Sequence, residues 1–254
     1  MNTKIKDFWN TRSLGKNPGS DDYHIKNLEL KALIKTIRSI ENSHSNIADV
    51  GCGNGETLNK LCEVLNCAGF GIDYSKGMVD SANKFGGEMF VEDDISEDLQ
   101  KDYLESSVVY TERCLINISP EKRKKALENI YKLVKPNGFY LMIESFIEPL
   151  NRINVIREKL NLYRIEPPWH NSFLKRDEIV KLATDSGFSL IGEYTFTSSY
   201  YFLSRVANAK LSNLFGRTPK YNDFLNNIGE HLPSVGDFGP VKMLIWEKGC
   251  LENN

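Results

Sequence analysis

Short apolar runs alternate with helical patterns through the middle of the chain, and this alternation restricts the fold more than any other feature. The apolar runs have the length of buried strands and lie at residues 47–50, 69–72, 89–91, 107–110 and 139–143. Apolar residues recur at helical spacing between them, over 56–66, 76–85 and 121–134. Strand, helix and strand in succession indicate βαβ crossovers. The sequence therefore predicts an α/β fold with a parallel sheet.

Further elements are predicted on both sides of this core. Apolar residues spaced by three and four predict an amphipathic helix over 23–40, with Asp21 and Asp22 at its N-cap. The segment 135–138, Lys-Pro-Asn-Gly, is expected to end a helix and turn the chain into the fifth strand. The remaining predictions are helices at 149–166 and 175–186 and strands at 188–198 and 241–247.

The length of 254 residues accommodates one large domain or two small ones. Because the predicted strands share one sheet, we expect a single domain over 1–254 with its ligand-binding core at 41–148. An N-terminal lid and helix at 1–40, a helical acceptor region at 149–187 and an insertion at 199–240 complete the expected division.

Composition excludes several classes of protein. With 41% hydrophobic and 26% charged residues, the chain has the balance of a globular protein. Its 32 Lys and Arg against 34 Asp and Glu give a net charge of −2, without the basic excess of nucleic-acid binders. The odd number of five cysteines predicts free thiols in a reducing cytoplasm. No signal peptide, membrane span or metal site is predicted.

A glycine-rich turn joins the first predicted strand to the following helix. Glycines let the backbone approach a ligand closely, and the start of a helix offers free amides. Asp73 ends the second strand, where an acidic side chain can accept both hydroxyls of a ribose. Glu56 stands where a dinucleotide-binding turn has glycine, which disfavours the pyrophosphate of NAD. The turn consists of Gly51, Cys52, Gly53, Asn54 and Gly55.

The string from Asp49 to Gly55, D-V-G-C-G-N-G, resembles the first motif of class I S-adenosylmethionine-dependent methyltransferases. The resemblance implies a Rossmann-like fold: a seven-stranded, mostly parallel sheet with an antiparallel last strand and helices on both faces. It implies S-adenosylmethionine as the cofactor and S-adenosylhomocysteine as its product. The site it implies is the glycine turn together with Asp49 and Asp73.

The segment Glu92-Asp93-Asp94-Ile95 resembles the adenine-binding turn of the same family. The resemblance implies that Asp94 accepts a hydrogen bond from the adenine amine and that the Ile95 amide meets a ring nitrogen. It also implies that Tyr74 and Met78 flank the adenine and the ribose.

Methyl transfer to a hydroxyl requires in-line positioning and a base, and no metal is obligatory. His170 is the first candidate for the base, because the ordinary pKa of histidine suits the task. Glu144, at the tip of the fifth strand, is the second. Tyr110, Thr111 and Glu112 are expected at the fourth strand tip, beside the methyl group.

The N-terminal segment carries a candidate for binding the methionyl carboxylate. Phe8 and Trp9 are expected to hold this segment over the cofactor. Arg12 follows them, and a guanidinium pairs well with a carboxylate.

Two observations predict the methyl acceptor: a motif that is absent from the end of the fourth strand, and a resemblance of several segments to a second group of proteins. Enzymes that methylate amino groups of bases carry Asn/Asp-Pro-Pro-aromatic there, whereas this strand ends Tyr-Thr-Glu-Arg. Several segments look like a bacterial group encoded with surface-polysaccharide biosynthesis. This resemblance implies O-methylation of a nucleotide-linked sugar, such as GDP-heptose or another GDP- or dTDP-sugar, for capsule or lipopolysaccharide. The segments are 8–15, 18–22, 111–118, 169–171, 198–205 and 236–242.

Several alternatives remain open at this level. The aromatic stretch 196–202 either stacks on substrate or packs in the core. His24 and His231 are placed to touch substrate, while His44 is expected to be exposed. The rival functions are N-methylation of a small amine, an NAD-dependent oxidoreductase and a non-catalytic cofactor-binding subunit, and a homodimer is permitted. Arginines available for a pyrophosphate are Arg152, Arg157, Arg164, Arg205 and Arg217.

Overall fold

The computed structural model describes residues 3–15, 19–40, 46–84 and 89–249. Within these ranges seven strands form one sheet in the order β3-β2-β1-β4-β5-β7-β6. All neighbours pair in parallel except β7, which is antiparallel to both β5 and β6. The strands are β1 (Ile47–Val50), β2 (Gly69–Asp73), β3 (Met89–Glu92), β4 (Ser106–Glu112), β5 (Val134–Ser145), β6 (Phe188–Tyr194) and β7 (Val241–Lys248).

Helices surround the sheet. Short 3₁₀ turns at Leu115–Asn117 and Pro120–Lys122 follow β4, and a π turn at Leu203–Ala207 joins two of the later helices. The α-helices are α1 (Thr3–Arg12), α2 (Tyr23–Ile40), α3 (Glu56–Leu65), α4 (Lys76–Asn83), α5 (Arg123–Leu133), α6 (Ile147–Lys159), α7 (Arg176–Asp185), α8 (Ser198–Phe202), α9 (Asn208–Leu214) and α10 (Phe224–His231).

The two faces of the sheet carry separate cores because successive side chains of a strand point to opposite sides. Ile47 and Tyr110 pack with apolar residues of α2 and α3 on one face. Ala48, Val109 and Trp246 pack with residues of α5 and α7 on the other. Both faces are therefore buried, which explains why the strands are continuous apolar runs.

The predicted α/β fold is confirmed, including the antiparallel last strand. The N-cap is also confirmed, since Asp22 Oδ1 accepts from Ile25 N at 3.3 Å. Helix α5 ends at Leu133, just before the predicted turn at 135–138, but these residues belong to β5: they form an unpaired irregularity between Val134, which pairs with Ser106, and Phe139, which pairs with Val108. Asn137 adopts a φ of 60° there. The Pro-Asn-Gly sequence thus marks a local irregularity within the strand and not the boundary before it.

The region after β5 differs most from the predictions. Helix α6 ends at Lys159 instead of 166, and β6 ends at Tyr194 instead of 198. The predicted insertion 199–240 is largely helical, formed by α8, the π turn, α9 and α10. His44 lies outside the described residues, and the division into a core and added regions remains a prediction.

The close packing of β2 against the glycine turn gives a test of the fold. A Cβ added at Gly71 would lie 2.6 Å from Phe90 Cδ1 and 2.7 Å from Cys52 Cβ. We expect Gly71→Ala to lower the free energy of unfolding by about 1–3 kcal/mol, because overpacking must displace neighbours. Urea denaturation measures this change.

The matched control is Gly192→Ala in β6, where the added Cβ would meet Ile245 Cδ1 at an ordinary 3.4 Å. We expect this variant to change stability by no more than about 0.5 kcal/mol. Equal stability of both variants and the parent chain would contradict the packing described for β2.

Candidate active site

A cavity of about 340 Å³ opens at the carboxyl ends of β1, β2 and β4. Ligands of open α/β sheets bind at this edge, and the volume lies within the range of small-molecule sites. Helix α1 and the segment 168–171 form the opposite wall. The predicted site residues that line the cavity are Arg12, Gly51, Gly53, Asp73, Tyr74, Met78, Asp94, Ile95, Glu112 and His170.

The glycine turn brings the backbone to the cavity floor. Gly53 has a φ of 53°, and a Cβ added there would meet no described atom within 4 Å. This backbone therefore faces open space that a ligand can fill. At Gly51, with a φ of 82°, an added Cβ would instead lie 2.7 Å from Cys114 Sγ, so glycine is required there by the close approach of the next loop.

Asp73 holds the turn in place from the tip of β2. Its Oδ2 accepts from Gly53 N at 2.8 Å, and its Oδ1 accepts from Ser75 N at 2.8 Å. Burial of the side chain raises the pKa of Asp73 to about 6, against these two hydrogen bonds, which lower it. The carboxyl group is therefore largely ionised at neutral pH, and its oxygens can accept from further donors in the cavity.

The turn after β3 is built by two adjacent carboxylates. Asp93 Oδ2 accepts from Tyr103 Oη at 2.8 Å and from Gln100 N at 3.0 Å, away from the ligand space. Asp94 Oδ1 accepts from the hydroxyl of Ser96 at 2.7 Å. These bonds fix Asp94 and Ile95 at the cavity wall, opposite Tyr74.

Glu144 and Tyr110 do not line the cavity, so the structure gives no support to their predicted catalytic roles. The carboxylate of Glu144 accepts from the amides of Cys114, Leu115 and Ile116 at 3.0, 2.8 and 3.3 Å. Burial raises the pKa of Glu144 to about 7. Its side chain is turned toward the loop after β4 and anchors that loop.

Several other residues predicted to bind the cofactor or to act in catalysis do not reach the cavity. Tyr110 Oη donates to Asp49 Oδ2 at 2.6 Å inside the core, because the two residues are register partners on β4 and β1. Thr111 Oγ1 lies 2.9 Å from Tyr140 Oη on the other face. Asp49, Cys52, Asn54, Gly55 and Thr111 are not among the residues that line the cavity.

Helix α1 covers the cavity through contacts with three neighbouring parts of the chain. Asn10 Oδ1 accepts from Ser75 Oγ at 2.7 Å and from Gly77 N at 3.2 Å, at the start of α4. Trp9 Nε1 donates to Asn117 Oδ1 at 3.2 Å. The ring of Phe8 stacks on His170 with centroids 4.3 Å apart. The N-terminal segment is thus a helix placed over the strand ends, and its action as a lid remains a prediction.

His170 stands between this helix and the strand tips. Burial, and then the nearby charge of Arg12, lowers the pKa of His170 from its ordinary value. The imidazole is therefore neutral at neutral pH, which is the form that can accept a proton. Its Nδ1 is buried and has no hydrogen-bond partner among the described residues.

The charges around the cavity are mostly negative. Two guanidinium groups, Arg12 and Arg113, also line it, and each is paired with a carboxylate, Asp21 and Glu29 respectively. An excess of carboxylates suits a ligand with cationic groups. The acidic residues on the cavity wall are Asp21, Asp73, Asp93, Asp94 and Glu112.

The structure also places residues that the sequence analysis did not assign. Arg113, Asn117, Asn171 and Tyr221 line the cavity. Arg113 and Asn117 follow the fourth strand directly, so their position after a predicted strand tip was a usable signal. Tyr221 belongs to the helical insertion, and no local pattern connects it with the glycine turn.

The arginines proposed for a pyrophosphate are placed elsewhere. Arg205 Nη2 donates to Asp22 Oδ2 at 2.7 Å, and Arg152 pairs with Asp237. None of the five predicted arginines is among the described residues that line the cavity. His24 is also engaged away from it, with Nδ1 2.5 Å from Glu230 Oε2.

Comparison with known families decides which class of site this is. Residues 47–138 match the family described as "Methyltransferase domain". They form a class I S-adenosylmethionine-dependent methyltransferase domain. This match favours the methyltransferase over the NAD-dependent oxidoreductase among the alternatives. In this methyltransferase domain, the open backbone at Gly53 and the Asp73 carboxylate fit a ribose, and the acidic wall fits a sulfonium and an ammonium group.

Similar proteins share the methyltransferase domain over part of their length. A tRNA (carboxymethyluridine(34)-5-O)-methyltransferase from Arabidopsis thaliana is 32% identical over 103 residues, which are 39% of this chain and 24% of that protein. A phosphoethanolamine N-methyltransferase from Plasmodium falciparum is 27% identical over 119 residues, 45% of each protein. The chain thus spans less than half the length of either relative.

A solved structure resembles almost the whole chain. Magnesium protoporphyrin IX methyltransferase from Synechocystis PCC 6803, with bound SAH, superposes with a TM-score of 0.61 at 14% identity. The alignment covers 97% of this chain and 99% of that one. At this level of identity, the likeness shows the shared fold.

The described residues contain neither a cluster of metal ligands nor a membrane-spanning helix. Over the described ranges, no group of three or more His, Cys, Asp or Glu side chains is placed to hold a metal ion. No described helix is long and apolar enough to cross a membrane. The prediction that catalysis requires no metal is not tested by these observations.

The raised pKa of Asp73 gives a pH test of cofactor binding. If the ionised carboxylate binds both ribose hydroxyls as predicted, affinity for S-adenosylhomocysteine should fall as pH drops from 7 to 5, through the pKa of about 6. Asp73→Asn is expected to weaken binding about tenfold or more at pH 7.5 and to remove this pH dependence. Isothermal titration calorimetry measures both effects.

Asp80→Asn is the matched control, because Asp80 lies on α4 and pairs with Lys76 at the surface. It is expected to bind S-adenosylhomocysteine like the parent chain at every pH. Parent-like binding by Asp73→Asn would overturn the role given to Asp73.

Proposed function

We propose that the chain transfers a methyl group from S-adenosylmethionine to a hydroxyl of a small polar acceptor, with His170 as the base. The observation that carries this proposal is the position of a neutral imidazole in the same cavity as Gly53 and Asp73. A hydroxyl is a poor nucleophile at neutral pH, so a base that removes its proton as the new bond forms accelerates the transfer.

The residues around His170 support a precise placement of the acceptor. The cofactor supplies a methyl group on a sulfonium, ready for in-line displacement. Phe8 stacks on one face of the imidazole, and Trp9 and Trp169 contact it edge-on, with centroids 5.5 and 5.4 Å away. These contacts restrict rotation of the ring. His170 would take the hydroxyl proton, and the covered cavity would exclude competing water.

The acceptor that we propose is a sugar. Aromatic rings together with an imidazole and the amides of Asn117 and Asn171 border the cavity, and such a mixture suits a hydroxylated ring. A polyanion is disfavoured by the acidic wall and by the net charge of −2. A nucleotide link on the sugar remains a prediction from the sequence, and the five arginines expected to support it do not line the cavity.

The direct test of this function is incubation with S-adenosylmethionine carrying a labelled methyl group. The acceptors are free sugars, sugar phosphates and GDP-, UDP- and dTDP-sugars, and products are read by mass spectrometry. We expect a labelled methyl ether. Labelled product only on amines, or no product from a chain that binds S-adenosylhomocysteine, would contradict the proposal.

His170→Gln tests the assigned base. We expect kcat to fall about a hundredfold or more, because base assistance to the hydroxyl is lost, while affinity for S-adenosylhomocysteine stays within about twofold of the parent value. The pKa of His170 is lowered, so its imidazole stays neutral into mildly acidic solution. In the parent chain, kcat should therefore stay constant as the pH is lowered through the usual pKa of histidine, and should fall only at a lower pH. Initial rates across pH measure both.

His231→Gln provides the matched control. His231 is exposed at the end of α10, and its Nδ1 lies 2.8 Å from Asn227 O. The control is expected to keep parent activity. Full turnover by His170→Gln would favour methylation of a neutral amine, which needs no strong base.

A further inference from the structure

Arg113 lines the cavity directly after β4 and has no role in the mechanism above. Its φ of 56° lies in the left-handed region, which residues other than glycine rarely adopt. Its backbone is held there by a hydrogen bond from Arg113 N to Ile143 O at 2.7 Å and by one from Asn117 Nδ2 to Arg113 O at 2.8 Å. The strand tip thus presents this side chain in an uncommon backbone conformation.

The guanidinium of Arg113 is fixed by a carboxylate of α2. Arg113 Nε lies 2.8 Å from Glu29 Oε1, and Nη2 donates to Glu29 Oε2 at 2.9 Å. The Glu29 side chain is 0% exposed and that of Arg113 is 23% exposed. The Nη2 hydrogen bond and the close Nε contact, which lacks hydrogen-bond geometry, together hold the guanidinium against this carboxylate.

The third nitrogen of Arg113 remains available to the cavity. Nη1 makes no hydrogen bond with the described ranges of the chain, and it is not among the enclosed polar atoms. Burial opposes the charge of Arg113, but attraction from Glu29 and Glu112 raises its pKa overall. The cavity therefore contains a charged donor that is held rigidly and has unused hydrogen-bonding capacity.

Neither the backbone nor the ion pair at this position is explained by stability. A left-handed conformation outside glycine costs free energy and concentrates at functional sites. Burying an ion pair also contributes little to stability, because desolvation offsets the attraction. Arg205 also pairs with a carboxylate, Asp22, but neither residue is among the described residues that line the cavity.

We propose that Arg113 binds an oxyanion, a carboxylate or a phosphate, inside the cavity, and that Glu29 positions its guanidinium for this contact. Two ligands can bring that group: the methionyl end of the cofactor, and an anionic acceptor, the latter resting on the proposed function. Arg12, the other cation at the cavity, is held by Asp21, whose side chain is 62% exposed. The anchor of Arg113 is buried, so its geometry is the more rigid of the two.

Calorimetry on the full chain and on Arg113→Gln separates the two sources. The probes are S-adenosylhomocysteine, 5′-methylthioadenosine, which lacks the amino-acid portion, and inorganic phosphate added to the chain saturated with S-adenosylhomocysteine. If Arg113 binds the methionyl carboxylate, the variant loses at least tenfold in affinity for S-adenosylhomocysteine and none for 5′-methylthioadenosine. If Arg113 binds the anion of an acceptor, Arg113→Gln keeps its affinity for S-adenosylhomocysteine and for 5′-methylthioadenosine but no longer binds phosphate.

Arg113→Lys keeps the charge without the planar fork and is expected to show the same loss in smaller degree. Arg176→Gln removes an ion pair with Glu193, and neither residue lines the cavity, so its affinities should match the parent chain even if its thermal midpoint falls. Unchanged affinities for S-adenosylhomocysteine and phosphate in folded Arg113→Gln and Arg113→Lys would overturn the proposal. Because these are binding measurements, absence of methyl transfer would count against the proposed function alone.

Discussion

The hydrogen bonds of one carboxylate, Asp73, hold together the parts of the chain that create the site. β1 and β2 are parallel and paired in register, so the glycine turn and the tip of β2 emerge at the same edge of the sheet. Asp73 then joins Gly53 N to Ser75 N, the N-cap residue of α4. The turn, the helix start and the carboxylate therefore have fixed relative positions before any ligand binds, which reduces the free energy required to order the site.

A second buried carboxylate organises the acceptor side. Glu144 accepts from three successive amides of the loop after β4, and this loop carries Arg113 and Asn117 to the cavity. Asn117 in turn accepts from Trp9 and so joins the loop to α1. The same network thus sets the position of the covering helix, of His170, whose ring contacts Phe8 and Trp9, and of Arg113.

The sequence alone predicted those parts of the fold and the site for which the local residue pattern and the order of the strands agree. β1 has the predicted bounds, because a short apolar run ending in glycine has one interpretation, and Asp73 falls at the strand tip as expected. Glu144 lies near the end of β5 as expected, but a strand-end position does not reveal which way the side chain turns, and its carboxylate binds the loop after β4. The position of Arg113 after a predicted strand tip was a usable signal, but its left-handed backbone and its pairing with Glu29, 84 residues earlier, have no local pattern. The contact of Tyr221 with the cavity depends on the packing of the insertion and was equally inaccessible.

A crystal structure of the chain with S-adenosylhomocysteine tests the central claim most directly. We expect the ribose hydroxyls within hydrogen-bond distance of the Asp73 oxygens, the adenine beside Asp94 and Ile95, and α1 covering the ligand. Binding of the nucleoside away from the glycine turn, or a ribose that makes no contact with Asp73, would contradict it.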